Sequence, residues 1–151
     1  MADERDRAMM RLALEEARGA AARGDVPVGA VVARGDELLG RGGNARERDR
    51  DPTAHAEILA LREASHAVGS WHLEGCTMYV TLEPCAMCAG ALVLARLHRL
   101  VFGADDPKAG FAGSLGDLVR DQRLNHLVEV ERGVLEGEAG ELLRDFFRDR
   151  R

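Results

Sequence analysis

Between Thr77 and Gly103 the chain passes through a strand pattern, a helix pattern and a second strand pattern with little chain between them. Thr77 to Leu82 is rich in β-branched and apolar residues. Glu83-Pro84 then opens a helix in which Met87, Ala91 and Leu94 fall at i, i+4 and i+7, and Arg99 to Gly103 forms the next strand. Two strands joined through a helix are expected to lie parallel in one sheet, and such a unit calls for a layered α/β domain. Patterns on either side extend it. Met9, Leu12, Ala13, Ala17 and Ala20 mark one face of a first helix, which Gly24 and Pro27 end. Val28 to Ala33 and Glu37 to Arg41 are strands around the turn Arg34-Gly35-Asp36, followed by a loop from Gly42 through Asp51. Asp51-Pro52 opens a second helix with Ile58, Leu61 and Val68 on its apolar stripe. Leu127 to Glu131 alternates as a half-exposed fifth strand, and Glu136 to Arg150 is a final helix carrying Leu142, Leu143, Phe146 and Phe147. The order α-β-β-α-β-α-β-β-α predicts helices covering a mixed five-stranded sheet, in one domain over 1–151.

Composition narrows what such a domain does. A length of 151 residues suits a single core without staples, and the apolar and charged fractions, 46% and 31%, are those of a globular chain. No apolar run approaches the roughly 20 residues that span a bilayer, and the charged start Asp3-Glu4-Arg5-Asp6-Arg7 is no secretory signal. A membrane partner is excluded and a cytoplasmic location expected. Three cysteines, two of them three apart, fit metal or catalytic thiols in a reducing compartment better than a disulfide framework. The net charge of −5 argues against a generic nucleic-acid coat but leaves room for a local basic patch.

Chemistry concentrates at the starts of two helices. Cys85 and Cys88, three apart, share a helix face, and the positive end of the helix favours their thiolates. His55 and Glu57 are two apart, so they do not face each other and are not both ligands. His55 is then the third ligand and Glu57 a proton carrier beside the metal. One imidazole and two thiolates suit Zn²⁺, one per chain, and three protein ligands leave the open position a catalytic zinc needs. Cys76, at the far end of the Thr77 to Leu82 strand, is too distant to close the site and reads as a small buried hydrophobe. His66, His72, His98 and His126 have no partner at ligand spacing. Taken alone, Cys-x-x-Cys is equally a redox pair, a zinc knuckle or chance.

His55-Ala56-Glu57 with Pro84-Cys85-Ala86-Met87-Cys88 resembles the signature of the cytidine deaminase superfamily. The stretches Val26-Pro27-Val28-Gly29-Ala30, Thr81-Leu82-Glu83-Pro84-Cys85, Val101-Phe102-Gly103-Ala104, Gly113-Ser114-Leu115 and Asp145-Phe146-Phe147-Arg148 make it similar to the bacterial tRNA adenosine deaminases in particular. Asp51-Pro52-Thr53-Ala54-His55-Ala56-Glu57 is shared with guanine deaminases. The resemblance implies zinc-dependent hydrolytic deamination of adenosine to inosine at the wobble position of a tRNA anticodon stem-loop, by a homodimer with a mixed five-stranded sheet. It also implies that Asn44 and the backbone of Ala56 contact the target nucleotide, Asp106 its neighbour, and Arg148 the RNA. Each has a plainer reading: Asn44 and Asp106 as turn residues, Arg144 and Arg148 as a solvated face, and Phe146 and Phe147 as packing. Rival functions are a free-base or nucleoside deaminase acting on guanine, cytosine or cytidine, and a non-catalytic zinc-binding module.

Overall fold

The computed structural model describes residues 2–150; Met1 and Arg151, the ends of the expected domain, lie outside them. Among the described residues, five helices and five strands follow in the order α1 (Glu4–Ala22), β1 (Gly29–Arg34), β2 (Glu37–Gly43), α2 (Arg46–Asp49), α3 (Ala56–Val68), β3 (Thr77–Leu82), α4 (Ala86–Leu94), β4 (Arg99–Ala104), β5 (Glu129–Glu131) and α5 (Glu136–Arg148). The strands form one sheet in the order β2-β1-β3-β4-β5. β1 is antiparallel to both β2 and β3, whereas β3, β4 and β5 run parallel. The α/β architecture and the parallel β3–β4 pair are as the sequence pattern requires.

Alternate residues of the central strands feed two cores. Ala30, Val32, Met78, Val80, Leu100 and Phe102 pack with residues of α3 and α4, while Val31, Ala33, Tyr79 and Val101 face Met9, Met10 and Ala13 of α1. Both faces of the sheet are therefore covered, which is why the inner strands read as near-continuous apolar runs. A Cβ on Gly42 would lie 2.7 Å from the Ala56 carbonyl oxygen and 2.8 Å from the Leu59 Cβ, so only glycine lets α3 lie this close to β2. The start of α1 is fastened by a capping box between Asp3 and Asp6. The buried Asp6 carboxylate also accepts from the Tyr79 hydroxyl at 3.1 Å and from both Arg99 guanidinium nitrogens at 2.8 and 2.9 Å.

Several boundaries move from those expected. Arg34 belongs to β1 and pairs with Glu37, leaving Gly35 (φ 63°) and Asp36 as the turn. The expected loop after Gly42 contains the short helix α2, held where Asp25, 1% exposed, accepts from the amides of Glu47 and Arg48. α3 starts at Ala56, not at Pro52, because Asp51 turns the chain first: its carboxylate accepts from both the amide and the hydroxyl of Thr53. α4 starts at Ala86, since Glu83 and Pro84 are committed to contacts described below. β5 is only Glu129–Glu131, the Val128 amide being drawn to the Val119 carbonyl, and α5 ends at Arg148.

Candidate metal centre and active site

His55 and Cys85 each occupy the residue before a helix, with extended backbone, and each helix continues without a side-chain cap from them. Both side chains are thus left free to point away from their own helices. Cys88 follows in the first turn of α4, and Glu57 in the first turn of α3. β3 ends at Leu82 against the sheet face that α3 covers, so the two helix starts meet beyond the carboxyl ends of the parallel strands. Among the described residues, His55, Cys85 and Cys88 form a group whose ligand atoms all lie within 4.8 Å of one another. The His55 Nδ1 atom is 3.6 Å from the Cys85 sulfur and 3.5 Å from the Cys88 sulfur. A tetrahedral zinc with bonds of about 2.3 Å to sulfur and about 2.0 Å to nitrogen requires a nitrogen–sulfur edge of about 3.5 Å. The donor set and its spacing fit zinc.

Electrostatics within the cluster favour a cation. The Cys85 thiol is pulled down to about 3, first by the hydrogen bond from Cys88 and then by His55, despite the opposing effect of burial. Cys88 is pushed up beyond the usual thiol range, by the same bond to Cys85 and by burial. His55 is shifted upward, chiefly by its hydrogen bond to the Cys85 sulfur. Glu57, only 4% exposed, is pushed up to about 7 because burial penalises its charged form.

The structure brings Asn44 and Ala56 to the same place: the Asn44 Oδ1 atom accepts the Ala56 amide at 3.1 Å, and Asn44 is buried. Asn44 thus closes the first turn of α3 rather than merely holding its own turn. Asp106 lies in the chain after β4 and donates its amide to the Glu83 carboxylate at 2.9 Å, while its own carboxylate accepts from the amides of Lys108 and Ala109. Arg148 is not drawn into the cluster; it is exposed at the end of α5 and bonded to Asp145. Cys76 is buried and stands outside the metal-binding group, as expected.

Sequence reasoning passed over Glu83 and Asp25. Both are buried carboxylates that accept backbone amides, Glu83 those of Asp106, Ala112 and Ser114 beside the Cys85 helix, and Asp25 those of Glu47 and Arg48 in α2. For Glu83 the available signal was an acidic residue at the end of an apolar strand, where burial demands a full set of donors; Asp25, in the turn between α1 and β1, offered none.

The MafB19-like deaminase family model matches residues 4–151. The tRNA-specific adenosine deaminase of Bacillus subtilis is 50% identical over 97% of this chain and 91% of its own length. A structure solved in work on A-to-I editing by tRNA A34 deaminases at the wobble position superposes with a TM-score of 0.87 at 43% identity, covering 90% of this chain and 99% of that one. A guanine deaminase from Nitrosomonas europaea gives a TM-score of 0.80 at 27% identity, covering 97% and 85%. The similarity to the tRNA enzymes is the greater in both sequence and shape, and it runs through the cluster of His55, Cys85 and Cys88 with Glu57 beside it. The chain belongs to the tRNA-specific adenosine deaminase family of the cytidine deaminase superfamily.

Proposed function

We propose that the chain hydrolyses the 6-amino group of adenosine at the wobble position of a tRNA anticodon, giving inosine and ammonia. The observation that carries this reading is the cluster of His55, Cys85 and Cys88, with the Glu57 carboxyl buried in the first turn of α3 beside it, where burial also raises its pKa toward neutrality and suits it to carrying a proton. His55, Cys85 and Cys88 would hold one zinc ion per chain, and zinc in such a site supplies Lewis acidity that makes hydroxide available near neutrality. Glu57 takes a proton from the water that attacks C6 and passes it to N1 of the ring; it then takes the second proton from the new C6 hydroxyl and passes it to the amine, which departs as ammonia as the C6–N bond breaks and the C6 carbonyl forms. With its Oδ1 committed to Ala56, Asn44 offers its Nδ2–H group to the nucleotide, and the two residues form one polar edge of the pocket. Asp106 faces the neighbouring nucleotide, and Arg148 with Lys108 meets phosphate.

The same reading includes a homodimer. Between α3 and α4 runs an open groove of roughly 700 Å³ whose lining includes Ile58, Leu61, Trp71, Ala91 and Leu94, with Trp71 59% and Leu94 69% exposed. An apolar stripe of this kind beside the site suits a second copy of the chain. Three free cysteines support the cytoplasm as the compartment, and among the described residues no helix is long and apolar enough to cross a membrane.

Incubation with an anticodon stem-loop carrying adenosine at the wobble position, followed by mass spectrometry for inosine, tests the activity. Glu57→Ala is expected to keep its zinc and lose turnover by at least about 10²-fold, as loss of a general acid–base group does. Cys88→Ala is expected to lose the metal by elemental analysis, whereas Cys76→Ala retains it. Efficient turnover of free guanine with an untouched stem-loop would overturn the substrate assignment.

A further inference from the structure

We propose that Glu83 is a positioning residue for substrate: its buried carboxylate holds the segment 106–114, and Asp106 with it, beside the metal-ligand helix. The inference rests on the reading above, in which Asp106 contacts the nucleotide next to the target.

The chain from 105 to 128 contains no named helix or strand. A segment of that length inside a compact domain is usually functional, and it needs something to fix it. Glu83 supplies the fastening. It is 2% exposed and accepts four hydrogen bonds, from the amides of Asp106, Ala112 and Ser114 and from the Ser114 hydroxyl. The partners are N–H and O–H donors converging on an anion, an arrangement that orients a backbone as well as neutralising charge. The segment closes so tightly around the carboxylate that a Cβ on Gly110 would fall 2.3 Å from the Glu83 Cδ atom.

The fastening is also joined to the metal ligands. The Phe111 amide donates to the Pro84 carbonyl at 2.8 Å, and Cys85 bridges Gly110. Glu83 is followed directly by Pro84 and Cys85, so one short piece of backbone sets both the ligand and the segment carrying Asp106. An apolar residue would serve if the end of β3 needed only to be buried. A carboxylate is required because the segment presents donors that have no strand to receive them.

Glu83→Gln preserves the side-chain shape and replaces one accepting oxygen with an NH₂ group that confronts N–H donors. The holoprotein variant is expected to keep one zinc per chain. Amide hydrogen exchange should quicken in 106–114 and stay unchanged in α4. On the stem-loop, KM should rise about tenfold or more with kcat held within about threefold, the pattern of a misplaced binding contact. Ser114→Ala removes one of the four donors from an exposed residue and should move exchange and KM the same way by less, so the test survives if Glu83→Gln fails to fold. Adding Asp106→Ala to Glu83→Gln should raise KM no further than Asp106→Ala alone. Unchanged exchange in 106–114 in both variants, or KM effects of Glu83→Gln and Asp106→Ala that simply multiply, would overturn the proposal. So would loss of zinc together with kcat in Glu83→Gln. If the wild-type protein left the stem-loop unmodified, the functional reading would fall with it, while the exchange data would still decide whether Glu83 holds the segment.

Discussion

Asp6 shows how much one side chain decides. Its carboxylate joins the start of α1 to Tyr79 on β3 and Arg99 on β4, and the Arg99 guanidinium holds its pKa below the ordinary 3.8 against the opposing effect of burial. A carboxyl depressed by folding stabilises the fold fully above its unfolded value, and that contribution disappears as pH falls through the folded value. Asp6→Asn should therefore lower stability at pH 7 by about 3 kcal/mol, since it leaves Arg99 partly buried and unpaired. It should also flatten the acid limb of the stability curve below about pH 4, as followed by urea unfolding across pH. His55, Glu57, Cys85 and Cys88 were legible in the sequence because ligand chemistry is carried by residue type and short spacing. The bonds of Asp6 were not, since Tyr79 lies 73 and Arg99 93 positions away. Glu83 was hidden for the same reason: its donors are 23 to 31 positions downstream, and an acidic residue before proline also reads as a helix start.

At the scale of elements, periodicity located every long helix and every strand, but the starts of the two site helices were displaced by local turn chemistry. Pro52 is a good first helical residue, yet Asp51 takes Thr53 into a turn and delays α3 to Ala56, which is what leaves His55 outside the helix. The stripe of Met87, Ala91 and Leu94 was real, but it faces outward, and Cys88, Ala89, Leu92 and Val93 fill the core instead. A helix apolar on every side cannot show by sequence which side the sheet takes. The depth at which α3 settles is set by Gly42. Gly42→Ala should cost about 1 to 3 kcal/mol through overpacking and reduce turnover by displacing the turn that carries Glu57. Gly90→Ala in α4, where an added Cβ meets nothing within 4 Å, should instead stabilise by about 0.5 to 1 kcal/mol. Thermal melts of the two variants, with turnover measured on each, provide the comparison.

For the molecule as a whole, the uncovered side of α4 bears on assembly. A groove lined by Leu61, Trp71 and Leu94 would be largely removed from water by a second copy. The proposed homodimer predicts that Leu94→Glu sediments as a monomer at concentrations where the unaltered protein sediments as a dimer. Its melting temperature should no longer rise with protein concentration, which mass action requires of the dimer. The net charge of −5 places any attraction for RNA in local patches, and several basic side chains are already paired with nearby carboxylates, as Arg148 is with Asp145 and Arg132 with Asp105.

The three proposed metal ligands sit at the starts of two helices, His55 and Cys85 being separated by 30 positions with β3 between them. An ion gripped by all three closes that stretch into a ring, as a disulfide would, and removes from the unfolded chain conformational freedom worth about 3 to 4 kcal/mol in a loop of this size. Catalytic readiness and resistance to unfolding are then two aspects of one occupancy. On the zinc assignment proposed above, a cell short of the metal would hold this chain not as an idle but intact enzyme, but as a looser one, more open to proteolysis.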